Sequence, residues 1–184
     1  MQTDRHIGQV LLGADNISLN FGAVKALIDV TVEIREHEIL GIIGPNGAGK
    51  TSLLNCINGV YRPQEGRITF KGQTRQRLKP FEAAEQGIAR TFQNVALFRG
   101  MTTLDNIMTG RNTKMHSNFA LQAIWWGPAK AEEMANRAFV EQIIDFLEIE
   151  AIRKTPVGRL PYGMQKRVEL GRALAAEPDL LLLD

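Results

Sequence analysis

Between residues 10 and 21 the apolar side chains Leu12, Ile17, Leu19 and Phe21 are interleaved with polar residues and turn formers, and residues 26–35 repeat the pattern with Leu27, Val30, Val32 and Ile34. Alternation of period two predicts strands with one buried face, here an antiparallel pair. Residues 38–43 differ: they are a short, nearly continuous apolar run, which predicts a strand covered on both faces. Glycines then crowd into 44–49, Leu53, Leu54 and Ile57 recur at helical spacing, and Gly59 is placed to stop that helix. The predicted order is strand, glycine loop, helix.

Residues 66–70 predict a further strand. The polar stretch 71–79 follows with the cations Lys71, Arg75, Arg77 and Lys79 but no interleaved aromatics, so it reads as a solvated loop and not as a nucleic-acid surface. A short helix at 81–86 closes at Gly87, and 88–92 predicts a strand. Residues 94–159 carry helical signals only, clearest over 129–147, where Pro128 suits a first helical position and Met134, Ala138, Ile143 and Leu147 are expected to share a face. Another helix spans 164–177 with Val168, Leu170, Ala173 and Leu174, ends at Pro178, and leads into a strand at 180–184. There are no repeats.

Composition narrows the picture only modestly. In 184 residues, 44% apolar content and a net charge of +2 describe an ordinary globular chain with no demand for a polyanion or a membrane surface as partner. The lone cysteine, Cys56, excludes an internal disulfide and reads as a small buried apolar residue. No apolar run approaches the roughly 18 residues of a membrane span, and the polar start with Asp4 and Arg5 is unlike a signal peptide. A cytoplasmic protein is expected. The chain finishes on Asp184 directly after an apolar run, and a fragment of a longer domain is expected because natural termini are usually polar and frayed.

The chemistry concentrates in the glycine loop. Gly44, Gly49, Lys50 and Thr51 satisfy the G-x-x-x-x-G-K-[ST] pattern, with Pro45, Asn46, Gly47 and Ala48 between them and Ser52 behind. Glycines let successive backbone N–H groups turn inward around phosphate oxygens, and the following helix aims its positive end at the same anion. Lys50 adds a full charge for the outer phosphates, and the Thr51 hydroxyl can ligate the Mg2+ that bridges them. Small-molecule kinases, GTPases and motor ATPases all use such a loop, although no Asn-Lys-x-Asp guanine reader is present.

Three further segments follow in a telling order: residues 88–94 with 97–107, then 160–165 leading into 167–174, and last 180–184. With the loop, they resemble the nucleotide-binding subunit of ABC transporters over essentially the whole chain. The stretch around Phe92 and Gln93 looks most like the ATPase components of bacterial branched-chain amino acid importers. The resemblance implies an α/β fold: a P-loop NTPase with a RecA-like core of ABC type, an N-terminal antiparallel β-subdomain and an inserted α-helical subdomain. It implies one domain over 1–184, with β-subdomain and P-loop core in 10–93, helical subdomain in 94–160, and signature helix and Walker B strand in 161–184.

The same resemblance assigns roles. Gln93 is similar to the Q-loop glutamine, which reaches Mg2+ and the attacking water; with Lys50 it is the catalytic candidate. Asp184 resembles the Walker B carboxylate that holds Mg2+ through water, so Thr51, Gln93 and Asp184 form the implied metal set. Phe21 is similar in position to the aromatic that stacks on adenine, the alternative being a strand residue packed into the small sheet. Leu160 and Gly163 retain the signature pattern, which caps the ATP of a second copy, while Pro161, Tyr162 and Met164 depart from it. The family's catalytic glutamate and switch histidine would lie beyond Asp184; His6, His37 and His116 read as surface residues, and residues 1–184 alone are expected to bind ATP weakly at best and to turn it over negligibly.

Implied partners are a second ATPase subunit, transmembrane permease subunits and, indirectly, a periplasmic binding protein, with no nucleic acid. The implied location is the inner face of the plasma membrane. An importer of urea or short amides, or a soluble ABC-type switch uncoupled from transport, remains an alternative. The apolar run 119–126, with Trp125 and Trp126, reads as packing inside the helical lobe or as a permease-docking surface.

Overall fold

A computed structural model describes residues 7–75, 78–91, 96–114 and 128–184. The chain divides into two compact units, one running to Ala83 and the other from Ala84 to Asp184.

The first unit is built on a four-stranded antiparallel sheet of order β2-β1-β3-β4, from β1 (Val10–Phe21), β2 (Val24–Arg35), β3 (Glu65–Phe70) and β4 (Gln73–Arg75). Leu12, Ala14, Ile17 and Leu19 are buried along β1, whereas β2 is largely exposed, so the expected alternation holds best on the inner strand. The ladder between β1 and β2 is interrupted near Asn16 and Asp29, both at positive φ, where Asn16 Nδ2 donates to Asp29 Oδ1 at 2.6 Å. Helix α1 (Lys50–Ile57) buries Leu53, Leu54, Cys56 and Ile57, and Gly59 at φ 75° closes it as expected.

Two expectations fail in this unit. Residues 38–43 join no sheet among the described residues: Ile39 is 87% and Ile43 is 99% exposed. A doubly covered strand owes its stability to neighbours on both edges, and without that ladder an apolar run has no local reason to be a strand. Part of 71–79 is not a loop either, because β4 folds back on β3 with Phe70 opposite Gln73. Lys71 and Gly72 both take positive φ, 50° and 74°, the geometry of the tight turn that suits strand twist.

The second unit begins around helix α2 (Pro80–Glu85), which crosses the boundary and ends before Gly87. Strands β5 (Ile88–Arg90) and β6 (Leu180–Leu182) form a parallel pair in which Arg90 faces Leu182. The helical lobe contains α3 (Thr103–Met108), α4 (Pro128–Phe146) and α5 (Tyr162–Ala175), joined in part by short 3-10 turns. Leu104, Ile107, Val140, Ile143, Ile144, Ile149, Val157, Leu160 and Val168 make its core.

The face expected on α4 is corrected. Its buried stripe is Asn136, Val140, Ile143 and Ile144, whereas Met134 is 63% exposed and Ala138 is exposed too. Met134 and Ile143 are nine residues apart, about two and a half turns, which puts them on opposite sides. On α5 the buried positions are Val168, Glu169, Gly171, Ala173 and Ala175, with Leu170 and Leu174 only partly covered.

Candidate nucleotide-binding site

The glycine loop is held from below by packing and stays open above. Gly47 at φ 83° and Gly49 at φ 85° adopt the left-handed backbone that L side chains avoid. Their surroundings differ: a Cβ on Gly47 would meet nothing within 4 Å, whereas one on Gly49 would come within 2.6 Å of the Ala26 carbonyl oxygen and 2.8 Å of Leu27 Cδ2. Gly49 therefore seats the start of α1 against β2, and Gly47 leaves space over the loop. Ala48 N donates to Pro45 O at 3.2 Å and Leu53 N to Gly49 O at 2.9 Å, so the first helical turn closes directly behind the glycines.

Lys50 opens α1 and turns back across the loop, its Nζ donating to Gly44 O at 2.7 Å and Pro45 O at 2.8 Å. The ammonium is thereby fixed at the mouth of a loop whose residues 44–48 are all exposed, beside the positive end of the helix. Thr51 is exposed and Ser52 half-buried in the first turn of α1. These groups can do one thing chemically: surround an anion with backbone donors and a fixed cation.

Phe21 lies at the end of β1, beside the β1–β2 turn, 46% exposed, with its ring edge-on to Tyr61 at 5.1 Å between centroids. Cys56, buried behind the loop in α1, has its thiol pushed up to about 11 by burial.

In the second unit, Pro161 is the N-cap of α5 and Leu160, Tyr162, Gly163 and Met164 bracket the helix start. Leu160 is 7% exposed and belongs to the lobe's core, so its side chain anchors the segment. Its carbonyl is held by Gln165 Nε2 at 2.8 Å. Gly163 is exposed, with nothing within 4 Å of where a Cβ would stand. Pro161 brings no side-chain cap to the helix, leaving the N–H groups of its first turn without one.

Asp184 follows β6, and its Oδ2 accepts from Arg90 Nη2 at 2.9 Å; the two side chains are only 14% and 3% exposed. Thr91 N donates to Leu182 O at 3.0 Å, continuing the pairing beyond β5. Gln93, and residues 119–126 with Trp125 and Trp126, lie outside the described residues, as do His6 and His116. His37 is exposed at positive φ.

Sequence reasoning missed two residues that hold the second unit's loops. Asn106, fully buried, accepts from Phe98 N at 2.9 Å and donates to the carbonyls of Phe98, Met101 and Thr102. Arg111, also buried, bonds Asn136 Oδ1 at 2.8 Å, Ala175 O at 3.0 Å and Glu177 Oε2 at 2.7 Å while lying over the Phe139 ring. A polar residue among apolar ones in a predicted helix was the available signal.

Compared with known proteins, residues 27–184 match the family model described as ABC transporter. The chain belongs to the ABC transporter family. It is 35% identical over 181 residues to the high-affinity branched-chain amino acid transport ATP-binding protein LivG of Salmonella typhimurium, covering 97% of this chain and 70% of that protein. The corresponding BraF of Pseudomonas aeruginosa is 32% identical, at 95% and 68% coverage. The sulfate/thiosulfate import ATP-binding protein CysA of the same organism is 33% identical, at 92% and 47%.

Among solved structures, a nucleotide-free ATP-binding cassette from an ABC transporter superposes with TM-score 0.78 at 33% identity, covering 96% of this chain and 69% of that one. A cassette in its ADP conformation gives 0.77 at 32%, covering 94% and 67%. A dimeric cassette bound to ADP and Pi after hydrolysis gives 0.75 at 25%, covering 94% and 73%. The expected fold class, an α/β ATP-binding cassette with an antiparallel β-subdomain and helices, therefore stands. No helix among the described residues is long and apolar enough to cross a membrane.

Proposed function

We propose that this cassette binds and hydrolyses ATP to energise an importer, and that the importer carries branched-chain amino acids. The observation that carries the first half is the loop itself: Gly47 and Gly49 in left-handed geometry, Lys50 fixed across Gly44 and Pro45, and a helix opening directly behind them. Backbone donors of residues 46–52 cradle the phosphates and Lys50 exchanges its carbonyl contacts for the more strongly charged phosphate oxygens. Phe21, half-exposed at the end of β1, stacks on the adenine.

Thr51 and Asp184 suit Mg2+, with Gln93 as a third contributor. A hydroxyl and a carboxylate are hard oxygen donors, and magnesium takes few of these from protein, completing its shell with water and phosphate. When bound, the ion neutralises charge developing on the transferring phosphoryl group. Gln93 orients the attacking water.

In a pair of subunits, the α5 start, with Leu160 as its anchor and Gly163 at its open end, caps the nucleotide held by the partner's loop. The lack of crowding around Gly163 and the lack of a side-chain cap from Pro161 favour this reading. Closure of the pair moves attached permease subunits on the inner face of the membrane, and hydrolysis resets them. A periplasmic binding protein supplies the substrate to those permeases.

The substrate assignment rests on relatives named for branched-chain amino acid transport. A sulfate/thiosulfate relative at 33% identity shows that identity at this level does not fix the cargo, and the urea and amide reading stays second. Transport assays with the neighbouring permeases test it: leucine uptake that requires this subunit and is lost with Lys50→Ala is expected. Uptake of urea or sulfate without leucine would overturn the substrate assignment.

A further inference from the structure

Arg90 is no part of the nucleotide loop, yet among the described residues it makes a largely buried ion pair with Asp184. The pairing of β5 with β6 explains why. Arg90 stands opposite Leu182, and paired residues share a face of the sheet. Asp184 lies two residues beyond Leu182, so it points to that same face. The guanidinium thus reaches the carboxylate diagonally across the ladder, and Nη2 meets Oδ2 at 2.9 Å with both side chains almost wholly covered.

We propose that Arg90 is a positioning residue for the magnesium carboxylate: by holding Oδ2 of Asp184 it turns Oδ1 toward the metal's water shell. This rests on the reading of Asp184 as a metal-holding group. The bond to Arg90 fixes Oδ2, and with it the orientation of the second carboxylate oxygen; removing the guanidinium removes that restraint. Partners one step behind a metal ligand characteristically set its orientation, and their removal costs about 10–100-fold in metal affinity. The opposing effect is Coulombic, since a cation beside the carboxylate weakens its pull on Mg2+. The two effects predict opposite signs for the Mg2+ requirement of an Arg90 variant, which is what separates them.

The test is the affinity of the purified protein for a fluorescent ATP analogue, titrated with MgCl2 and separately in EDTA, for the parent, Arg90→Gln, Arg90→Lys and Asp184→Asn, with thermal melting alongside. Arg90→Gln should need about tenfold more Mg2+ for the same gain in affinity while its EDTA affinity stays within about twofold of the parent. Arg90→Lys, which keeps the charge but not the planar fork, should need about threefold more. An unchanged or lowered Mg2+ requirement in Arg90→Gln, or an equal loss in EDTA, would overturn the proposal and make the pair a purely structural one. If Arg90→Gln does not fold, Arg90→Lys decides alone, and a Mg2+ titration identical to the parent's refutes it. Asp184→Asn separates the two claims: an intact Mg2+ gain there means that Asp184 is not the metal carboxylate at all.

Discussion

Two glycines two positions apart, at nearly the same backbone angle, answer to different constraints. Gly47 needs only its left-handed conformation, while Gly49 also lacks room for a Cβ against the Ala26 carbonyl. Gly47→Ala should therefore cost about 1–2 kcal/mol of stability, the usual penalty for an L residue in that region. Gly49→Ala should cost about 2–4 kcal/mol, because a backbone atom of β2 must also move. Urea unfolding of the two variants checks the order; equal losses would remove the distinction. Cys56 gives a second residue-scale outcome. With its thiol raised to about 11 by burial, almost none is thiolate near neutral pH, and the thiolate is the reactive form. A disulfide reagent at about pH 8 should label the folded protein slowly and the unfolded protein at once, and rapid labelling without denaturant would contradict this burial.

At the scale of elements, the helical lobe tests the corrected face of α4. Ile144 is fully buried and Met134 is 63% exposed, so Ile144→Ala should cost about 3 kcal/mol and Met134→Ala no more than about 0.5 kcal/mol. Thermal melting of both variants measures it, and the reverse ranking would restore the face expected from the sequence. Elements with a strong local signal were legible: β1, α1 with its Gly59 stop, β3, the long α4 and the strands β5 and β6 all lie where the patterns put them, although the pairing of β5 with β6 was not predicted. What failed depended on whether a pairing partner accepts the run, which the run's own pattern does not record. The run 38–43 reads as a strand only if a sheet receives it, and β4 exists because β3 offers an edge and Lys71 and Gly72 accept a tight turn. The same logic divides the site. The loop 44–52 was legible because its chemistry is consecutive, and the bond between Arg90 and Asp184 was not, because it is made across a ladder between residues 94 apart.

At the scale of the whole molecule, family membership follows from the match over residues 27–184 and from superposition on solved cassettes, whereas cargo and partners are properties of an assembly. A subunit that energises transport from outside the permeation path carries little record of the substrate, and relatives of nearly equal identity are named for different cargoes. What the loop is proposed to do is narrower and physical: it grips an anion with several oxygens through backbone N–H groups of residues 46–52 and Lys50. Isothermal titration calorimetry of Mg-ATP into the purified protein tests it most directly. Saturable one-site heat is expected for the parent and, for Lys50→Ala with an unchanged melting temperature, affinity weaker by about tenfold or more. No heat from the parent, or equal affinity in the two proteins, would contradict it.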